Sequence, residues 1–139
     1  CDLVSLRDTT GHANPGQEAT TLQAIRAIAG DKHRAAHHHD TRGLALAHSL
    51  VAVQQGITEL QSSLAGLGGC PFAPGASGNT VTEDLVFMLQ SMGYDTGIDL
   101  AALIASRQVL RDALPDEALY GCIARAGLPL NYTPAASRA

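Results

Sequence analysis

Three short apolar segments recur along the chain, each followed by a polar turn and then by a helical pattern. Leu3 to Arg7 reads as a buried strand, closed by the turn residues Asp8-Thr9-Thr10-Gly11 and a break at Asn14-Pro15-Gly16. Gln17 to Ala29 then carries Leu22, Ile25, Ile28 and Ala29 at helical spacing and stops at Gly30. Arg34 to His39 predicts the second strand. A helix from Leu44 to Gln54 follows it, with Leu46, Leu50 and Val53 on one face and Gly56 behind. Ile57 to Ser62 predicts the third strand. Strands roughly 30 residues apart with helices between them imply parallel pairing through helical crossovers. In such folds the chemistry gathers at the C-terminal ends of the strands. No Gly-x-Gly-x-x-Gly follows the first strand, which argues against a dinucleotide-binding fold.

Beyond the third strand, Ala65 to Asn79 is a long Gly/Pro-rich loop, and loops of this length inside a compact domain tend to be functional. Thr80 with Glu83 reads as a capping box, with Thr82 as a competing cap, for a helix from Glu83 to Met92. Asp99 caps a helix over Leu100 to Leu114, and Pro115 starts a last one reaching Ala126. Residues 1–97 and 98–139 separate as a βα part and a helical extension with a loose tail.

Composition narrows the function classes. Apolar residues make up 45% and charged residues 16%, enough for a packed core. Net charge is −4 with no basic stripe and few aromatics, which argues against nucleic acid as a partner. No apolar stretch approaches the roughly 20 residues that span a bilayer, so no membrane partner is expected. The three cysteines, at 1, 70 and 122, do not make a disulfide framework and fit a reducing compartment. Cys1 is read as the start of a fragment rather than as a lipoprotein cysteine.

His37-His38-His39-Asp40 is the first place where chemistry concentrates. Side chains alternate along a strand, so His37 and His39 share one face and form half of a divalent-metal site. The plainer reading is a His-rich strand end. In the Gly-rich loop, closely spaced glycines let backbone N–H groups approach a ligand. Cys70 there reads as an acid/base or nucleophile, or as a small residue in a tight loop. Asn79 offers an amide oxygen to a metal, or a helix cap. Asp8 orients a histidine, meets substrate or makes an Asx-turn. Glu83 and Asp84 read as first-turn helix acids, favoured by the helix dipole. His12, His33 and His48 read as bystanders, and Cys122 as core.

Taken together, His37 to Ala47, Gly66 to Asn79 and Thr82-Glu83-Asp84-Leu85 resemble the 3-hydroxy-3-methylglutaryl-CoA lyases. Asp8-Thr9-Thr10-Gly11, Leu119-Tyr120-Gly121 and Ala126-Gly127-Leu128-Pro129 extend the likeness, on the bacterial side of the family. It covers nearly the whole chain but only the C-terminal half of such an enzyme. The resemblance implies an α/β fold: a partial TIM barrel made of the last three βα units plus C-terminal helices. It implies a divalent ion, Mg or Mn, held by His37, His39 and Asn79. Cys70 would be the catalytic cysteine, Asp8 an active-site aspartate, and Gly68 and Gly69 part of the loop over the substrate. Glu83 falls in the family motif without a catalytic role. A further metal-binding Asp beside a substrate-binding Arg would lie upstream. Arg7, Gln61 and His48 depart from the family pattern, which has a small residue, an Asp and an Asn there.

The implied reaction cleaves 3-hydroxy-3-methylglutaryl-CoA to acetyl-CoA and acetoacetate. The resemblance further implies an acyl-CoA substrate, a homodimer when complete and a cytoplasmic, bacterial-type location. The alternatives are a lyase or condensing enzyme for another 3-hydroxyacyl-CoA, and a non-catalytic barrel remnant.

Overall fold

The computed structural model describes residues 1–69 and 78–134. Cys70, the catalytic cysteine implied by the resemblance, lies outside them. The chain runs β1 (Val4–Asp8), α1 (Pro15–Ala29), β2 (His33–His38), α2 (Ala45–Gln54), β3 (Glu59–Gln61), α3 (Thr82–Ser91), α4 (Leu100–Ala113) and α5 (Ile123–Ala126). Single 3-10 turns stand at Gly30–Lys32 and Leu64–Gly66.

The three strands form one parallel sheet in the order β1-β2-β3. Register aligns Leu6, Ala36 and Leu60 in one row and Arg7, His37 and Gln61 in the next. Alternation sends these rows to opposite faces. The first row packs with Leu22, Val51, Ala52 and Ile57 into the core beneath α1 and α2. The second row, carrying His37, occupies the face away from those helices.

The elements follow from local chemistry, with some shifts from expectation. Asn14-Pro15 opens α1 rather than breaking the chain. The Asn14 side chain accepts from the Gln17 N–H, Gln17 reaches back to the Asn14 N–H, and Pro15 pre-sets the first turn. Asp99 caps α4 by accepting from the Ala102 N–H. β3 is shorter than the apolar run, because the Ile57 N–H closes on Ala52 O at the end of α2.

Three expectations fail. Thr80 and Glu83 make no capping box: the Thr80 hydroxyl donates to His38 O, Val81 stands at the cap, and Glu83 is fully buried elsewhere. No helix starts at Pro115. The backbone donors of this stretch are drawn to tertiary acceptors, with Tyr120 N–H on Ala65 O and the Cys122 and Ile123 N–H groups on the Asp84 carboxylate. Helix resumes only at Ile123, for four residues. Cys122, just before it, is exposed rather than core, since Ile123 is the residue this short turn buries.

Candidate metal centre and its surroundings

The end of β2 delivers two imidazoles to one face. The Nε2 atoms of His37 and His39 stand 3.1 Å apart, with the rings edge to face. Two nitrogens bound cis to an octahedral ion at 2.0–2.1 Å each would be separated by roughly 3 Å. Both Nδ1 atoms are buried without a hydrogen-bond partner. The two rings are within hydrogen-bond reach of each other, and the same spacing suits two ligands of one divalent ion.

Asn79 is carried to the same place by backbone pairing. It forms an antiparallel bridge with His39, flanked by Thr80 N–H on His38 O and Asp40 N–H on Gly78 O. Its amide nitrogen donates to Leu67 O at 2.7 Å. That bond commits the amide nitrogen and fixes the orientation of the amide. Asn79 is not a helix cap. Gly68 makes room for it: at φ +102, a Cβ there would fall 2.7 Å from the Asn79 amide nitrogen. Gly69 is exposed next to it. Among the described residues no three His, Cys, Asp or Glu side chains converge on one point.

Arg7 and Gln61 flank His37 across the sheet on either side. Burial, above all, lowers the pKa of His37 below its ordinary value, and the nearby His39, Arg7 and His38 lower it further, while the Gln61 amide works the other way. His37 is thus kept as the neutral imidazole that a metal requires.

Asp8 is not brought into this group. It follows Leu6 by two residues and shares its side of the sheet. Its carboxylate accepts from the His12 and Ala13 N–H groups and lies 3.9 Å from His48 Nδ1. Behind the metal face lies a second polar layer that local sequence rules did not reveal. His38 bonds Glu18 at 2.9 Å and faces Ser49, and its ring rests 5.5 Å from His48. All four side chains are buried. His48 and His33, read from the sequence as bystanders, are both buried. Glu83 and Asp84 are likewise buried and partnered, through Arg107 and the α5 N–H groups. Only an acid that breaks an apolar helix face could have marked them.

A model of the HMGL-like family matches residues 1–110. The chain belongs to the HMGL-like family. It is 50% identical to the mitochondrial hydroxymethylglutaryl-CoA lyase of Arabidopsis thaliana over 76% of its length, and 46% identical to the hydroxymethylglutaryl-CoA lyase YngG of Bacillus subtilis over 80%. It superimposes on an HMG-CoA lyase from Acinetobacter baumannii, solved with coenzyme A and 3-methylmalate. The TM-score is 0.85 at 41% identity, covering 96% of this chain and 43% of that one. The chain spans 23% and 37% of the length of the two curated relatives. Its parallel strands are part of the TIM barrel of the HMGL-like family, whose enzymes are generally divalent-metal dependent. Among the described residues no helix is long and apolar enough to cross a membrane.

Proposed function

We propose that this chain is the metal-binding, C-terminal part of a 3-hydroxy-3-methylglutaryl-CoA lyase, comprising the sixth to eighth βα units of the barrel and its helical extension. The observation that carries the reading is the paired Nε2 atoms of His37 and His39 at 3.1 Å, with the Asn79 amide locked beside them. His37, His39 and Asn79 would hold a divalent ion, Mg or Mn, which would supply Lewis acidity toward the substrate.

The rest is the work of the polypeptide. A base takes the proton of the tertiary hydroxyl, the C–C bond breaks, and its electron pair passes to the acetyl-CoA enolate. Cys70 returns a proton to that enolate carbon. Its place in the Gly-rich loop, two residues beyond Gly68, supports this assignment. Gly68 and Gly69 let the loop backbone approach the acyl group. Asp8 ties down the turn after β1, and His48 stands behind it. The acyl-CoA substrate is supported by the relative that binds coenzyme A. A homodimer and a cytoplasmic site complete the proposal, the latter by likeness to the Bacillus subtilis relative.

Two substitutions in the natural full-length protein test the assignment. Cys70→Ser should lower acetoacetate release at least a hundredfold while Mn binding persists. His37→Ala should lose both. Unchanged turnover in Cys70→Ser would remove the cysteine from the mechanism.

A further inference from the structure

Glu83 and Arg107 form an ion pair whose side chains are 0% and 4% exposed. A buried pair of this kind often stabilises a fold no better than apolar residues of the same volume. What it touches is therefore informative. Besides Arg107, both Glu83 oxygens receive the Ala65 N–H, at 3.0 and 3.2 Å. Ala65 has φ 56, the left-handed conformation that a Cβ disfavours, and is the one such non-glycine among the described residues. Its carbonyl is held in turn by the Tyr120 N–H at 2.9 Å.

The two residues after Ala65 carry the hold onward. Gly66 O receives the Asn79 N–H at 3.1 Å, and Leu67 O receives the Asn79 side-chain amide at 2.7 Å. Besides its bridge to His39, Asn79 is thus oriented by two carbonyls of the short segment that Glu83 pins. Arg107 reaches this point from α4, outside the sheet altogether.

We propose that Arg107 and Glu83 are positioning residues for the Asn79 amide, holding Ala65 in its left-handed turn so that Gly66 and Leu67 present their carbonyls to Asn79. The inference rests on the reading of Asn79 as a metal ligand. Glu83 supplies the acceptor for Ala65 N–H, and Arg107 holds that acceptor in place. The helical extension would in this way set the metal affinity of a site it does not touch.

Mn(II) alone, followed by electron paramagnetic resonance on the natural full-length protein, tests this at a temperature where circular dichroism shows each variant folded. Two double variants carry no buried charge and differ only at the Ala65 acceptor. Glu83→Gln with Arg107→Met keeps an amide oxygen there but loses the cation that holds it, and should bind Mn(II) about threefold more weakly than the wild type. Glu83→Ala with Arg107→Met removes it and should bind at least tenfold more weakly. Equal affinities in the two double variants would overturn the proposal. If the alanine variant does not fold, Arg107→Lys, which keeps a cation but loses the planar fork, should weaken Mn(II) at least threefold, and unchanged affinity there would overturn it. Wild-type protein that binds no Mn(II) would overturn the metal reading itself, a result distinct from a clamp that proves irrelevant to a working site.

Discussion

Asn79 shows how little freedom a loop-end side chain is left in this fold. Its backbone bridges His39, its N–H reaches Gly66 O, and its amide nitrogen is committed to Leu67 O. Gly68 is the counterpart of that arrangement, since the space a Cβ would take is held by the Asn79 amide. Gly68→Ala combines that collision with a φ of +102, which residues with a Cβ rarely adopt. The expected outcome is Mn(II) affinity at least tenfold weaker with the sheet intact, measured by isothermal titration beside circular dichroism. The His37–His39 pair is legible in the amino-acid sequence, because strand alternation alone puts both on one face. The locking of Asn79 is not, since its partners lie in the Gly-rich loop, and no local rule brings the two ends of a loop together.

Elements are legible where their signals are local. The βαβαβ order, the Gly30 stop and the Asp99 cap follow from periodicity and end chemistry, and all are present. Segments whose polar groups are claimed from a distance are not legible. Glu83 has the position of a first-turn acid, yet its partner Arg107 is 24 residues away. Pro115 has the look of a helix start, yet the N–H groups that follow serve Ala65 and Asp84. His33, where β2 begins against α1, is hidden by a burial that its place in the sequence does not show, and it gives α1 and β2 a shared pH dependence. Burial, then the Arg26 cation, lowers its pKa from 6.5, against smaller opposing effects of Glu18 and the Leu22 backbone. The unfolded chain therefore binds this proton more readily than the native one. The stability tied to a neutral His33 is complete above about pH 6.5 and is lost as pH falls below it. Urea midpoints measured from pH 7.5 to 5 should drop more steeply for the wild type than for His33→Gln. Parallel slopes would mean that His33 titrates alike in both states.

At the scale of the molecule, the sheet among the described residues has three strands, of which β1 and β3 are the outer two. Beside β3 and α3 runs a cleft of about 500 Å³ lined by Ile57, Leu60, Leu85, Val86, Leu89 and Tyr94, among others. Unpaired strand edges and apolar surface of this kind are what a barrel covers when its strands close on themselves. The family match and the 43% coverage of the Acinetobacter baumannii enzyme agree with a chain that carries one side of such a barrel. The face that carries His37 and His39 is also the face where Arg7 and Gln61 flank His37. The decisive measurement is acetoacetate formation from 3-hydroxy-3-methylglutaryl-CoA by the natural full-length protein, stripped of metal and then titrated with Mn(II). The account predicts no product without metal, and with it acetoacetate and acetyl-CoA in equal amounts. Folded, Mn-loaded protein that leaves the substrate uncleaved would contradict it.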